Sequence, residues 1–368
     1  MKFTCNRQQL VDSVLNVQRA VSSRSTLVAL EGILIKAYDS QIKLCGYNLE
    51  LGITTCIDAT IDIPGEVVLS AKLFGEIVRK LPDDKVKIIV DDKFITNIQS
   101  GTSEFSIIGI APSEYPELPT ISSASDITMS SNILKSMIKQ TLFAVSDSDA
   151  KPIHTGTLFD LTENQIRLVS VDGYRLAMRT ERTSNNQDIN FVVPGKTLSE
   201  VLKLLPDDEE KNIKFSVGRK HIVFEIENYC VISRLLEGDF LDYNAAIPKT
   251  FNTEVEVQTR TFMESVERVS LLITDRLKSP LRCIFAENEI KLSCVTSIGK
   301  ANDEFESAIH GNAVEIGFNN RYLLDALRNT DTDEIKVQLN GPLNPMRIVP
   351  KEGDSFLFLV LPVRLKSE

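Results

Sequence analysis

The chain has 368 residues, of which 42% are hydrophobic and 25% charged, a balance typical of a soluble globular protein with two or three domains. No segment approaches the roughly 18 apolar residues of a membrane span. The N-terminal MKFTCNRQQL lacks the apolar core of a signal peptide, so we expect a cytoplasmic protein. The net charge of −10 argues against nucleic-acid binding unless the charge is unevenly distributed.

The predicted elements begin with an amphipathic helix over 7–21, RQQLVDSVLNVQRAV. Strands such as GILIKAYDSQIKLCGYNLELGI follow, and AKLFGEIVRKL predicts a second helix over 71–81. The tetrapeptide LPDD, residues 81–84, indicates a proline stop and an acidic turn. Apolar residues then alternate at Val86, Ile88 and Val90, and the turn-like VDDK and QSGT that follow predict an antiparallel meander.

The same order of elements recurs twice further along the chain. Helices are predicted over 132–145 and 196–205, followed by a second LPDD, and over 260–273 and 321–329, followed by TDTD. The strand openings VKII, IKFS and IKVQ begin at residues 86, 213 and 335. We therefore predict an α+β fold of three repeated domains, 1–123, 124–250 and 251–368, each with two helices packed on antiparallel sheets. Such repeats suggest an assembled ring or arc; a duplication without functional geometry is the alternative.

Charge is distributed unevenly among these elements. The predicted helices together carry a small positive excess, whereas the turns and strands contain acidic runs such as PDDEE and DTDTDE. If the helices share one surface, that surface could follow a phosphate backbone without reading bases. The alternative is the small positive excess that surface helices often have.

Catalytic and metal-binding motifs are not found in the sequence. The six cysteines form no CxxC pair and suit small buried side chains in a reducing compartment, and the three histidines match no metal spacing. Nucleotide-binding, zinc-hydrolase and nucleophile-elbow motifs are also missing. Asp172 with Arg175, or Asp147 and Asp149 with His154, could form a polar site, but only residue type supports this. We therefore expect no cofactor and no enzymatic activity.

Motifs spread over the whole chain resemble the bacterial DNA polymerase III beta subunit family, the processivity sliding clamps. They are MKFTCNRQQL, SSRSTLVALEGILI, AKLFGEIVRKLP, EFSIIGIAPSEYPELP, the most specific segment VSVDGYRLAMR, and FLVLPVRL. The resemblance implies a head-to-tail homodimeric ring that encircles double-stranded DNA without sequence specificity. It also implies that the DNA polymerase III alpha subunit, the clamp loader, and other polymerases and repair proteins bind it through short linear motifs.

The resemblance further implies residues for contacts with DNA and with a second copy of the chain. The best candidates for DNA contact are the basic residues Arg24, Lys72, Lys135, Lys139 and Lys196. The dimer interface is expected to involve Phe105 and Ile107 at one strand edge and Leu272 and Ile273 at the other. Ordinary core packing is the alternative for these four apolar residues.

A peptide-binding cleft follows from the same resemblance. Its expected residues are Lys151, His154, Val171, Gly173, Tyr174, Arg175, Leu176, Leu241, Ala246, Asn319, Tyr322, Leu343, Pro345, Leu361, Pro362, Val363 and Arg364. We expect Leu176, Leu241, Leu361 and Val363 to form an apolar pocket. We expect Gly173 to allow close backbone approach and Arg175 to donate hydrogen bonds to a peptide.

The cleft rim departs from familiar family members at several positions. A histidine is common in the family where Tyr174 stands, an arginine where Lys151 stands, and a methionine where Leu361 or Val363 stands. By its residues alone, VDGYR would be read as a simple hairpin turn. Two other classes of function remain as alternatives to the clamp, namely an enzyme and a protein scaffold that does not bind DNA.

Overall fold

The computed structural model describes residues 1–121, 125–183, 188–208, 210–274, 276–277 and 279–365. Its helices are α1 (Arg7–Val17), α2 (Ala71–Lys80), α3 (Ser131–Leu142), α4 (Gly195–Leu204), α5 (Tyr243–Ala246), α6 (Thr259–Ser270) and α7 (Asn320–Arg328). The predicted boundary between residues 123 and 124 and the predicted C-terminal limit at 368 lie outside the described residues.

Antiparallel strands make up most of the remaining regular structure. In chain order they are β1 (Lys2–Asn6), β2 (Gly32–Tyr38), β3 (Gln41–Tyr47), β4 (Leu51–Ile63), β5 (Gly65–Ser70), β6 (Lys85–Val90), β7 (Ile95–Ser100), β8 (Ser103–Ile108), β9 (Ser125–Ser130), β10 (Gly156–Thr162), β11 (Gln165–Val171), β12 (Arg175–Arg182), β13 (Ile189–Pro194), β14 (Asn212–Val217), β15 (His221–Ile226), β16 (Tyr229–Arg234), β17 (Thr253–Gln258), β18 (Leu281–Ala286), β19 (Glu289–Thr296), β20 (Gly299–Glu306), β21 (Ala308–Gly311), β22 (Val314–Phe318), β23 (Glu334–Leu339), β24 (Met346–Pro350), β25 (Phe356–Val360) and β26 (Pro362–Val363). This order confirms the predicted α+β class.

The observed helices begin close to the predicted positions and end earlier in several cases. The side chain of Asn6 caps α1 by accepting the N–H of Gln9 at 3.1 Å. The helix predicted over 7–21 ends at Val17 and continues as a 3₁₀ turn over Gln18–Ala20. Ala20 is fully buried, so the apolar pattern runs on through the tighter turn. A helical hydrophobic pattern therefore does not reveal where the 3₁₀ geometry begins.

The acidic turns serve the same purpose in each repeat. The backbone N–H of Arg7 donates to the carbonyl of Asp84 at 2.7 Å, and that of Thr259 donates to the carbonyl of Asp333 at 2.8 Å. The equivalent bond of the middle repeat joins Ser131 N–H to the carbonyl of Lys211 at 2.8 Å. In each case, the turn that follows the second helix satisfies an unpaired donor at the start of the first helix. The repeated turns are therefore structural.

The described residues divide into two compact units, the first formed by 1–132 with 199–235. Its sheet has the strand order β8-β7-β6-β1-β4-β16-β15-β14-β9, and β3, β2 and β5 branch from β4. The pairing of β4 with β16 joins strands of the first and second predicted domains, for example at Ile53 and Val231. Helices α1 and α2 pack against each other and bury Leu10, Val14, Phe74 and Val78.

The second unit is formed by 133–198 with 236–368. One of its sheets has the order β13-β10-β11-β12-β25-β24-β23-β17-β21, and the other has the order β20-β19-β18-β22-β26. Helices α6 and α7 pack against each other, and their buried residues, including Phe262, Val266, Leu323 and Leu327, belong to one large hydrophobic cluster.

Two expectations from the composition concern membrane helices and the burial of the cysteines. No helix among the described residues is long and apolar enough to cross a membrane. Cys5, Cys45, Cys283 and Cys294 are buried, as expected, whereas Cys56 is exposed. Cys56 lies on β4 opposite Lys43 of β3, on the side of the sheet that faces away from the core.

Candidate functional sites

The most specific predicted segment forms the turn between β11 and β12. The ladder of these strands closes at the pair Val171 and Leu176. Between them, Asp172 Oδ1 accepts the N–H groups of Tyr174 at 2.8 Å and Arg175 at 3.0 Å. Gly173 has a φ of +91°, and a β-carbon there would meet nothing within 4 Å. Glycine is therefore favoured by the backbone conformation, and no described atom of the chain itself occupies the space beside it.

Arg175 is already engaged by residues of its own chain. Its Nε donates to Asp172 Oδ2 at 2.9 Å, and its Nη1 forms an ion pair with Asp325 of α7. The guanidinium carbon lies 4.7 Å from the ring centroid of Tyr322 and 5.5 Å from that of Phe143. Only 12% of the side chain is exposed. This guanidinium therefore joins the turn to α7, and fewer of its donors are free for a peptide than expected.

Tyr174 lies at the protein surface and contacts both α7 and the C-terminal segment. Its ring stacks on that of Tyr322, with centroids 5.7 Å apart and an angle of 20° between the planes. Its carbonyl accepts the N–H of Leu361 at 2.9 Å. The tyrosine that replaces the expected histidine thus contacts α7 through its ring and the C-terminal segment through its backbone.

The C-terminal segment crosses from one sheet of the second unit to the other. β25 pairs with β12, so Val360 lies opposite Arg175. Beyond Leu361, β26 pairs with β22 at Gly317 and Phe318. A β-carbon on Gly317 would lie 2.6 Å from the carbonyl oxygen of Val363. Glycine at this position therefore lets the C-terminal segment approach β22.

Lys151 directly precedes the 3₁₀ turn Pro152–Thr155, and His154 lies within it. The His154 ring packs edge-on against Phe240, with centroids 5.6 Å apart. Burial of the ring, followed by the charge of Lys151, lowers the pKa of His154 from its ordinary 6.5. The imidazole therefore favours its neutral form.

A hydrophobic cluster connects these segments. It combines Ile153, Leu176, Tyr243 and Leu359, which come from the 3₁₀ turn, β12, α5 and β25. Leu176 is 3% exposed and Val171 is also buried in this cluster. Both residues were expected to line the cleft, and in the structure they are buried in this cluster, which also contains Tyr243 of α5.

Large apolar side chains are nevertheless exposed at the predicted cleft positions. They are Tyr174, Leu241, Leu343, Leu361 and Val363, and Leu343 reaches 71% exposure. Leu361, Pro362, Val363 and Arg364 form the C-terminal segment, while Leu343 and Pro345 lie in the turn before β24. Met346 pairs with Val360, which brings that turn next to Leu361.

Asn319 and Ala246 have more ordinary surroundings. The Asn319 side chain accepts the N–H of Arg321 at 3.0 Å and caps α7. Ala246 is exposed at the end of α5.

Residues that were not predicted include Asp325, Phe143 and Phe240. Asp325 lies one helical turn after Tyr322, so its presence on the same face of α7 could have been expected from the spacing.

The predicted DNA-contacting residues are distributed over both units. Arg24, Lys72, Lys139 and Lys196 are exposed, and among the described residues none of them has an ion-pair partner. Lys135 is half-buried and interacts with another group. By contrast, three cations of α6 and α7 are in ion pairs, Arg260 with Glu264 at 2.7 Å, Arg268 with Asp303 at 2.6 Å and Arg328 with Glu267 at 2.7 Å.

The predicted dimer residues lie at two strand edges. Phe105 and Ile107 belong to β8, the edge strand of the sheet of the first unit. In the second unit β20 is an edge strand, and Leu272 Cδ1 lies 3.6 Å from the position of a β-carbon on its Gly299. Leu272 and Ile273 also pack partly against the core. Exposed residues missed by the sequence reasoning are Ile108, at 83%, and Leu271, at 79%.

Comparison with known proteins identifies the family of the chain. The N-terminal, central and C-terminal domains of the DNA polymerase III beta subunit match residues 1–119, 128–242 and 244–364. The beta sliding clamp of Bacillus subtilis (strain 168) is 35% identical over 377 residues, which cover 99% of this chain and 100% of that protein.

Solved structures agree with the sequence matches over their full length. A putative DNA polymerase III beta subunit from Eubacterium rectale superposes with a TM-score of 0.95 at 36% identity, covering 99% of both chains. The DNA polymerase sliding clamp from Bacillus subtilis superposes with a TM-score of 0.96 at 34% identity, covering 100% of both chains. The chain therefore belongs to the DNA polymerase III beta subunit family, and its function is that of a sliding clamp in DNA replication.

Proposed function

We propose that two copies of this chain form a head-to-tail ring around double-stranded DNA and tether replication proteins through the Tyr174–Tyr322 cleft. The observation that carries the proposal is the match to all domains of the family over the whole chain. The domain division 1–123, 124–250 and 251–368 is part of this proposal. We also propose that the chain has no catalytic activity and acts in the cytoplasm, where a bacterial chromosome is replicated.

The two edge strands support the head-to-tail dimer. An edge strand presents unpaired N–H and C=O groups, and natural proteins cover or charge such edges. β8 instead exposes apolar side chains at Phe105 and Ile108. Pairing β8 of one copy with β20 of another would cover both edge strands. Two such contacts related by a two-fold axis would close a ring of two chains.

Unpaired helix cations support contact with the DNA backbone. Lys72 on α2, Lys139 on α3 and Lys196 on α4 are exposed and have no ion-pair partner in the described parts of the chain. A phosphate could bind them without first displacing a carboxylate. Contacts of this kind are weak and independent of sequence, and they suit a ring that slides. The net charge of −10 would repel DNA from the other surfaces.

The cleft supports recognition of a short peptide with an apolar anchor. Tyr174 and Leu361 expose apolar surface next to the turn that the Arg175 ion pairs hold against α7, and Val363 and Leu241 are exposed as well. A preorganised wall lowers the entropy cost when a flexible peptide binds. We propose that linear motifs of the DNA polymerase III alpha subunit, the clamp loader, and other polymerases and repair proteins occupy this cleft in turn.

Topology provides the sharpest test of the ring. The protein is loaded by a clamp loader onto nicked circular DNA, and half of the sample is then cut once with a restriction enzyme. We expect protein to remain on the circles and to leave the linear DNA by sliding off its ends. Blocking both ends of the linear DNA with bound proteins should restore retention. Equal retention on circular and unblocked linear DNA would exclude encirclement.

A further inference from the structure

A cavity of about 380 Å³ lies beside the sheet of the second unit and away from the residues of the cleft. Its floor is formed by consecutive strands of the order β11-β12-β25-β24-β23-β17, and Asn244 of α5 contributes to its wall. The charged residues that line it are the cations Arg167, Lys336, Arg347 and Lys351 and the anions Glu254 and Asp354. Cations are therefore in excess here, although the chain as a whole is acidic.

Most of these cations are satisfied by residues of the chain. Arg167 donates to Gln165 at 2.7 Å and to the hydroxyl of Tyr243 at 3.3 Å. Lys351 lies 2.8 Å from a carboxylate oxygen of Glu334. Lys336 lies 3.7 Å from Glu254. These groups have structural partners and do not by themselves require a ligand.

Arg347 differs from the other cations. It is half-buried, and its Nε is inaccessible to solvent and finds no hydrogen-bond partner in the described part of the chain. No ion pair of this guanidinium occurs among the described residues. Burial lowers the pKa of Arg347, and Glu254 attracts its charge only from a distance. An unpaired guanidinium that has given up part of its hydration is costly, and buried charges in proteins are normally paired.

The residue opposite Arg347 carries a buried hydrogen-bond acceptor that lacks a partner among the described residues. Gln338 pairs with Arg347 across β23 and β24, and its Nε2 donates to Glu254 at 2.7 Å. Its Oε1 is buried and accepts no hydrogen bond from the residues that the structure describes. A donor and an acceptor without partners therefore stand on neighbouring strands at the same cavity. A second cavity of about 620 Å³ shares Arg347 and Asn244 and adds the cation Lys249 and the anion Asp242.

We propose that Arg347 and Gln338 form an anion site that binds a small phosphate-bearing ligand. The outer Nη atoms of the guanidinium match the oxygens of a phosphate group, and a turn of the Gln338 side chain would bring its buried Oε1 to a P–OH or to a neighbouring hydroxyl of the ligand. Both cavities have volumes in the range of about 300 to 1,000 Å³ that is usual for ligand sites. This site goes beyond the clamp function, because it involves no residue of the cleft or of the strand edges.

The test uses inorganic phosphate and pyrophosphate as probes on the full-length protein. Binding is measured by isothermal titration calorimetry and by thermal denaturation, at an ionic strength held constant with chloride. We expect saturable binding and a melting temperature that rises with either probe. Arg347→Gln should weaken binding by at least about tenfold, since it removes the main charge-assisted donor. Arg282→Gln, which removes from β18 in the other sheet a partly exposed cation paired with Glu315, should bind like the parent protein.

Stability without ligand separates a binding role from a structural one. If the Arg347 guanidinium is unfavourably buried until an anion binds, Arg347→Met should melt at the same temperature as the parent protein or higher when no anion is present. Gln338→Leu should also weaken binding, which gives a second readout if an Arg347 variant fails to fold. The absence of saturable binding at millimolar probe, equal binding by Arg347→Gln, or a lower melting temperature of Arg347→Met without anion would overturn the proposal.

Discussion

Arg175 belongs to the turn of β11 and β12, yet its closest charged partners include a residue of α7. The family resemblance indicated a donor for a bound peptide, whereas the structure shows ion pairs with Asp172 and Asp325 and ring contacts with Tyr322 and Phe143. The two roles are compatible, because a guanidinium has five N–H donors. Its main effect is to hold Tyr174 and α7 in one arrangement.

We expect replacement of Asp325 to weaken peptide binding to the cleft. Asp325→Asn removes the charge that holds Arg175 against α7, so the stacked tyrosines lose a support. The effect should be about 1 kcal/mol, roughly a fivefold higher Kd, because Asp325 is partly exposed. Fluorescence anisotropy with a labelled polymerase motif peptide measures it.

The matched control for this experiment is Asp92→Asn, an exposed carboxylate in the turn between β6 and β7 of the other unit. It should leave the Kd unchanged. If Asp325→Asn binds the peptide as tightly as the parent protein, Arg175 does not depend on α7 for its position.

His154 predicts a specific pH dependence of stability. Its folded pKa lies below the ordinary 6.5, so the folded state binds fewer protons than the unfolded chain as the pH falls below 6.5. The free energy of unfolding should therefore decrease as the pH falls from 6.5 towards the folded pKa, with no contribution above 6.5. His154→Gln should reduce this slope in thermal denaturation measured over a series of pH values.

His221 provides a comparison, because burial also lowers its pKa, and it lies in the other unit. His221→Gln should remove a separate part of the slope and leave the part due to His154. An unchanged slope in His154→Gln would show that the ring is hydrated in the folded state.

At the scale of elements, the short strand β26 connects the C-terminus to the sheet of the third predicted domain. We expect Gly317→Ala to displace it, because the added methyl group would lie 2.6 Å from the Val363 carbonyl oxygen and 2.8 Å from the Leu365 side chain. Leu361 and Val363 would then leave the cleft. Peptide affinity should fall more than tenfold, whereas the free energy of unfolding should fall by only about 1 kcal/mol.

Gly299→Ala is a suitable control for the peptide affinity, since its methyl group would meet, among the described residues, Leu272 alone at an ordinary distance of 3.6 Å. It should retain peptide affinity. Tight peptide binding by a folded Gly317→Ala protein would exclude a role of β26 in the cleft.

Helices differ in the charge they offer to DNA. We expect Lys139→Gln with Lys196→Gln to lower the retention of loaded clamps on DNA. The slope of log affinity against log salt concentration should become shallower by about one unit for each phosphate that these lysines no longer neutralise. Arg260→Gln with Arg328→Gln removes the same number of charges from α6 and α7, where the cations are paired with acids. The α6 and α7 variant should have the smaller effect, and an equal effect would show that the intramolecular ion pairs open on DNA.

At the scale of the whole molecule, the exposed apolar edge of β8 requires a partner. We expect Phe105→Glu with Ile107→Glu to convert the dimer to single chains in light scattering, because two carboxylates would be buried at the interface without partners. Leu49→Asp changes an exposed leucine in the turn between β3 and β4 and should remain dimeric. A dimer that survives the double substitution would place the interface elsewhere.

Local patterns determined much of the fold. Apolar spacing predicted each longer helix and the strand meanders after each acidic turn, and the structure confirms them because such periodicities directly reflect which side of an element is buried. They did not reveal the 3₁₀ turn after α1 or the short helix α5. Segments of three or four residues contain less than two helical periods, so their pattern cannot be distinguished from a loop.

The sequence by itself determined the repeat, the class of fold, the uneven charge and the family. It could not determine which predicted cleft residues are exposed. Leu176 and Leu361 are both leucines of the expected pocket, yet Leu176 lies in the core and Leu361 at the surface. Nor could it pair Arg175 with Asp325, which is 150 positions away. Contacts between distant residues depend on strand register and on helix orientation, and only the tertiary structure decides these.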